Sequence, residues 1–237
     1  MAAARGVPLL LLPGLTNDER VWRGVKDALQ SKAQDVIVGD LRSGETMQDM
    51  AADVLSKAPE RFAVAGLSMG GYCALEMIRQ APQRIAGLAL VDTSARPDTV
   101  EGKANREKQI ERARIDYAGL VEELLPKWIH PSRLDDPAVA DVVRAMARDA
   151  GAEGFARQQR AIMSRGDSRP LLGAIRCPAI VVYGREDQLM PKEIHDELVR
   201  GISGARLHDV EGCGHLAPLE RPEPVAQALR SLLEAIV

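Results

Sequence analysis

The segment Gly66-Leu67-Ser68-Met69-Gly70 has the pattern of a nucleophile elbow, G-x-S-x-G. It stands between an apolar run, residues 61–66, that reads as a buried strand and an amphipathic stretch, residues 68–81, that reads as a helix stopped by Pro82. That context gives the pattern its chemistry. A serine on a very tight strand-to-helix turn holds its hydroxyl clear of the sheet, and the positive end of the helix favours an oxyanion forming beside it. The glycines two residues to either side answer a steric need, because the turn brings those positions too close to neighbouring backbone for a side chain. A glycine-rich turn with an incidental serine would share the five residues and would need no partner.

A serine hydroxyl is a weak nucleophile near neutral pH and needs a base. The chain has four histidines. His215 lies in EGCGHLAPLERPE, a glycine-rich loop between the last strand and the last helix, which can bring an imidazole over the strand ends. His195, in the charged helix IHDELVR, reads as exposed; His208, inside a strand, reads as structural; His130, in KWIHPS of the helical insertion, is a candidate pocket residue but precedes the favoured acid, Asp187, in chain order. In enzymes with this elbow the partners follow the serine in the order acid, then histidine. Asp187, in GREDQLMP after the strand AIVVYG, fits the acid: it would orient His215 and stabilise its imidazolium without taking the proton. Glu186 beside it is expected to point away. Asp92, in VDTS after the fourth strand, is the rival, with turn capping as its plain structural reading.

A tetrahedral intermediate needs two N–H donors. Met69, after the serine, supplies one, and Leu15, in LLPGLTND, supplies the other, with Gly14 letting the backbone turn its amide inward. Thr16, Leu67, Leu189 and Met190 flank these positions, and Trp128 lies further along in a helical block; they are the candidate substrate contacts. They describe a compact, aliphatic pocket, and Trp128 fits equally well as a packing anchor.

Holding these residues requires strands that end together. Apolar runs at residues 7–12, 35–40, 61–66, 85–91, 177–183 and 205–210 read as strands. Helical patterns fall at residues 19–32, 46–57, 68–81, 192–200 and 224–236, with Thr46 as a helix cap. The alternation predicts an α/β fold, a doubly wound and mostly or wholly parallel sheet of about six strands. Residues 97–169 contain no strand. Their spacing is helical, and thirteen Lys/Arg against thirteen Asp/Glu between Pro97 and Pro170 describe solvated helix faces. The core is thus expected at 1–96 and 170–237, with 97–169 inserted into it.

Composition narrows the partners. A net charge of −3 without a basic run argues against nucleic acid. No apolar run reaches the length of a membrane span, and the N-terminal MAAARGVPLLLL is broken by Pro8 and lacks a cleavage site. Three widely spaced cysteines, Cys73, Cys177 and Cys213, suggest a reducing compartment, and no cluster reads as a metal or cofactor site. The expectation is a cytoplasmic protein acting on a small molecule.

Taken in order, LLLPGL, GLSMGG, VDTSARP, CPAIVVYGREDQLMP and GCGHLAPLERPEPV resemble the α/β-hydrolase superfamily. The likeness is to its small, cap-bearing branch of carboxylesterases, 3-oxoadipate enol-lactonases, meta-cleavage-product (carbon–carbon bond) hydrolases and cofactor-free haloperoxidases. The resemblance covers essentially the whole chain outside the insertion. It implies triad roles for Ser68, Asp187 and His215, and a helical cap over the site for residues 97–169. Two departures stand out. Pro13-Gly14 replaces the His-Gly that members often carry, which bears on the oxyanion loop, and the N-terminal antiparallel hairpin of the family has no room, so an all-parallel sheet is expected. Ser68 argues against epoxide hydrolases and haloalkane dehalogenases, which use an aspartate there. The implied reaction is hydrolysis of a small carboxylic ester or lactone through an acyl-enzyme, without cofactor. Carbon–carbon bond hydrolysis or a lyase reaction on the same triad, and a non-catalytic ligand receptor, are the alternatives.

Overall fold

Four consecutive leucines form the first strand, β1 (Leu9–Leu12), and all four are buried. Such a run is stable as a strand only where both faces of the sheet are covered, which in practice means helices above and below parallel strands. The computed structural model, which describes residues 6–29 and 35–236, has that arrangement. The elements follow as a 3₁₀ turn (Glu19–Trp22), α1 (Arg23–Leu29), β2 (Val36–Val38), α2 (Met47–Lys57), β3 (Phe62–Leu67), α3 (Met69–Gln80) and β4 (Ile85–Val91). Then come α4 (Val100–Trp128), α5 (Ala140–Ser164), α6 (Arg169–Leu172), β5 (Ala179–Gly184), α7 (Lys192–Gly201), β6 (Arg206–Val210), α8 (Ala217–Glu220) and α9 (Pro222–Glu234). The six strands make one sheet in the order β2-β1-β3-β4-β5-β6, and every neighbouring pair is parallel.

Side chains alternate between the faces, as the strand period of two requires. Leu9, Leu11, Ala63, Ala65, Val91 and Val182 share an apolar cluster with α1 and α9. Leu10, Leu12, Val64, Leu88, Leu90 and Val181 share another with α2, α3 and α7. The sheet is therefore doubly wound. The chain runs from β1 outward to β2 and then crosses back to β3 on the other side of β1. That reversal opens a crevice at the carboxyl ends of β1 and β3, where open α/β sheets bind ligands.

Element boundaries differ from expectation for local reasons. β1 begins at Leu9, because Pro8 has no N–H for a ladder; the Pro8 carbonyl instead accepts from Ala63 N–H at 2.8 Å. The first helix starts as a 3₁₀ turn whose opening Asp18 caps through its carboxylate on Arg20 N–H; its expected end at 30–32 lies outside the described residues. Thr46 caps α2 on Asp49 N–H as expected. Between β4 and β5 the chain is helical, and α4 packs on α5 with Tyr117 against Phe155, ring centroids 5.6 Å apart. The α5 segment bends at Gly151, whose φ of +69° suits glycine. Among the described residues no helix is long and apolar enough to cross a membrane.

His195 corrects the sequence reading. It is fully buried on α7, not exposed, and stacks on Tyr183 with centroids 4.8 Å apart. Burial pushes its pKa down to about 4 from an ordinary 6.5. The unfolded chain therefore binds a proton between these values that the folded chain refuses, so stability present above pH 6.5 is lost as pH falls through 4. The loss from this one group approaches about 3 kcal/mol. Urea unfolding of His195→Phe is expected to show a distinctly flatter stability profile between pH 7 and 4 than the parent; an identical profile would refute this assignment.

Candidate active site

Among the described residues three non-glycine positions have positive φ: Thr16 (58°), Ser68 (51°) and Asp92 (45°). Each follows the carboxyl end of a strand, β1, β3 or β4 respectively. Backbone strain concentrated at one edge of a sheet points to a site there. At Ser68 the cause is visible. A Cβ on Gly66 would strike the Gly70 carbonyl, and one on Gly70 would strike the Leu12 carbonyl. Ser68 itself is pinned by its N–H to Val91 O (2.9 Å) and by Thr93 Oγ1 donating to its carbonyl (2.8 Å). It is half-buried and opens α3.

The histidine loop comes over this edge. His215 Nε2 lies 2.8 Å from Ser68 Oγ, and Nδ1 lies 2.7 Å from Asp187 Oδ2. A carboxylate can only accept, so Nδ1 carries the proton and Nε2 is free to accept from the serine hydroxyl. The other Asp187 oxygen, Oδ1, accepts from Leu189 N–H (2.8 Å) and Met190 N–H (3.1 Å), which fixes the carboxylate and leaves Oδ2 for the imidazole. His215 N–H donates to Trp128 O at 3.1 Å, tying the loop to the end of α4. Glu220 holds it from behind: Oε1 accepts from Gly214 and Leu216 N–H, and Oε2 from His130 N–H. Burial raises the Glu220 pKa against those backbone bonds. Glu186 points away from His215 and accepts from Cys213 N–H.

Asp92 does not reach the imidazole. It is fully buried, and its two oxygens accept from Gly184 N–H (2.7 Å) and Ala217 N–H (3.2 Å), joining the Asp187 and His215 loops from below. Burial and the neighbouring Asp187 carboxylate push its pKa well up. Asp92→Asn would set an NH₂ against one backbone N–H. The expected cost is about 1–3 kcal/mol of stability with kcat changed only a few-fold in the folded protein, read by chemical unfolding and steady-state rates on one preparation.

The amides assigned to the oxyanion are not consumed by the turns around them. Thr16 N–H goes to Gln158 Oε1, Asn17 N–H to Gly14 O, and Gly71 and Tyr72 N–H to Ser68 O, leaving Leu15 and Met69 N–H outside that pattern. Beside Ser68 and His215 lies a cavity of about 240 Å³. Leu15, Trp128, Leu189 and Met190 line it. Thr16 and Leu67 do not, contrary to the sequence reading. Thr16 is buried with Oγ1 on the Leu15 carbonyl, and Leu67 ends β3 pointing into the core shared with α1. His130 is turned to Ser132, and His208 is half-buried on β6. Sequence reasoning missed Arg106, Lys127 and Gln159, which also line the cavity. The signal was there for Gln159: it interrupts the apolar α5 stripe between Phe155 and Ile162.

A family model described as the alpha/beta hydrolase family matches residues 9–228. The malate-bound structure of a thermophilic esterase from Thermogutta terrifontis is similar at TM-score 0.90 and 35% identity, covering 99% of this chain and 92% of that one. The enol-lactonase from Burkholderia xenovorans LB400 is similar at TM-score 0.83 and 27% identity, covering 96% and 92% respectively. A pimeloyl-(acyl-carrier protein) methyl ester esterase of Chromobacterium violaceum is 28% identical over 194 residues, 78% of this chain and 76% of that protein.

Proposed function

The chain belongs to the alpha/beta hydrolase family, and on that premise we propose that it hydrolyses a small carboxylic ester or lactone through an acyl-enzyme on Ser68. The observation that carries this reading is the unbroken hydrogen-bond path from Asp187 Oδ2 through His215 to Ser68 Oγ beside a cavity. In the first half-reaction Oγ attacks the acyl carbon while His215 Nε2 takes its proton. The carbonyl oxygen becomes an oxyanion facing the Leu15 and Met69 N–H groups and the end of α3. As the tetrahedral adduct collapses, His215 returns the proton to the departing alkoxide, which leaves as the alcohol, or as the tethered hydroxyl of an opened lactone. In the second half-reaction a water attacks the acyl-enzyme with His215 again as base, and Ser68 regains its proton as the acid leaves. Asp187 keeps the imidazole in the useful tautomer and balances its charge during both halves.

Residues 97–169 serve as the cap of this site, since α4 and α5 supply one wall of the cavity. A volume of about 240 Å³ falls below the roughly 300–1,000 Å³ of pockets for drug-sized ligands. Substrates are therefore compact. The relatives described above as a methyl ester esterase, an esterase and an enol-lactonase support an acyl substrate. The test is a panel of short esters, lactones and thioesters assayed beside Ser68→Ala, with vinylogous diketones included. Turnover of esters or lactones lost in the variant is expected. Turnover confined to the diketones would move the reading to carbon–carbon bond hydrolysis, and no turnover with no labelling by a fluorophosphonate would leave a ligand receptor.

A further inference from the structure

The cavity beside Ser68 has an uneven wall. Leu15, Leu124, Ile162, Leu189 and Met190 are apolar, and among the described residues no acidic side chain lines it. Two cationic side chains do, Arg106 and Lys127, both on α4. Among the described residues Lys127 Nζ has no ion-pair partner. Arg106 is held from behind: its Nε donates to Asp98 Oδ2 at 2.7 Å and its Nη1 to Gln159 Oε1 at 2.6 Å. Gln159 is itself buried and locked by donating to Gln109 Oε1 at 2.8 Å.

The charges in this cluster do not balance. Asp98 is shared, its Oδ1 accepting from Arg165 at 2.7 Å. The side chains of Asp98, Arg165 and Arg106 are only 7%, 9% and 21% exposed. Two guanidiniums thus stand on one carboxylate in a largely buried place. Arg165 is fully occupied, with Arg96 O, Ile162 O and the Tyr72 ring (4.2 Å) as its other partners. The excess positive charge is therefore carried at Arg106, whose Nη2 has no acceptor among the described residues while its other two nitrogens are fixed. Burying an uncompensated cation is costly unless an anion meets it. A neutral alkyl group filling the cavity would strip water from Nη2 and offer nothing back, whereas a carboxylate would accept a charge-assisted bond from a guanidinium already held in place.

We propose that the substrate is an anionic acyl compound, a short ester or lactone bearing a free carboxylate, with that carboxylate on Arg106 Nη2 and Lys127 at the cavity mouth favouring its approach. This rests on the ester-or-lactone reading of the same site. The reacting carbonyl sits at Ser68 and the carboxylate against α4, so Arg106 determines specificity without touching the reacting atoms.

The experiment compares kcat/KM for monoethyl glutarate and ethyl valerate, which share the acyl chain length and differ in the terminal carboxylate. The parent protein is expected to favour monoethyl glutarate by at least about 10-fold. In Arg106→Gln that preference is expected to fall by roughly 10- to 100-fold, through KM more than kcat. Arg106→Lys recovers part of it, because charge returns without the planar fork. Lys127→Gln alters an exposed side chain outside the buried network and is expected to reduce the preference a few-fold, more at low salt than at high salt. It keeps the test valid if Arg106 variants do not fold. Ethyl valerate turned over as well as monoethyl glutarate, or a preference unmoved by both substitutions, overturns the carboxylate site and leaves ester hydrolysis standing. Absence of turnover on both esters, together with absence of fluorophosphonate labelling of Ser68, overturns both.

Discussion

Ser68→Ala is expected to lower kcat on any ester the protein turns over by roughly 10⁶-fold, with a melting profile close to the parent's. In the proposed reaction the hydroxyl is the atom that becomes covalent, so the expected loss is large, and no neighbouring group replaces it. What remains is whatever the oxyanion donors and the cavity contribute to attack by water. The fold should not notice: the contacts that hold this turn run through the Ser68 backbone, to Val91 O and from Thr93 Oγ1, and the side chain is hydrogen-bonded to His215 Nε2. His215→Ala should cost a similar amount, and the double variant little more, since nucleophile and base act as one unit. Steady-state rates at matched protein concentration, with melting profiles on the same preparations, check all three.

Asp187→Asn is expected to lower kcat by about 10⁴-fold. An asparagine keeps Oδ1 for the Leu189 and Met190 N–H groups but presents an NH₂ to His215 Nδ1. That donor forces the imidazole to accept at Nδ1 and carry its proton on Nε2, where it can no longer take one from Ser68. The damage is to the tautomer, so stability should change little while turnover collapses. Asp92→Asn should behave in the opposite way, because its two oxygens serve backbone N–H groups and not the imidazole. The pair of variants separates the two carboxylates: a collapse in Asp92→Asn with Asp187→Asn active would transfer the acid role to Asp92.

How much of this was legible follows from what each signal measures. The six strands and the parallel sheet were readable because buried parallel strands are apolar on both faces, as in Leu9–Leu12 and Ile85–Val91, whereas the strand order came only from the structure. Ser68, Asp187 and His215 could be singled out because the tight turn demands glycines and because each sits at a strand end, where loops converge, and the structure brings the three side chains together. Leu67 misled because adjacency in sequence is not adjacency in space: next to Ser68, it points to the opposite side as a strand residue must. His195 misled because its neighbours in IHDELVR are charged, although its spacing to Leu198 and Ile202 places all three on one buried face. Arg106 was hidden for the converse reason. On a helix rich in charge it reads as solvated, and only its spacing to Ile110 and Ala113, both buried, marks the inward stripe it extends.

Covalent trapping shows whether Ser68 is an activated nucleophile. The protein is treated with a fluorophosphonate, digested, and the adduct located by peptide mass mapping. A single phosphonyl adduct is expected on the peptide holding Ser68, formed rapidly in the parent, slowly in Asp187→Asn and not at all in Ser68→Ala. No adduct in the parent, or one that persists elsewhere in Ser68→Ala, would contradict that role for Ser68.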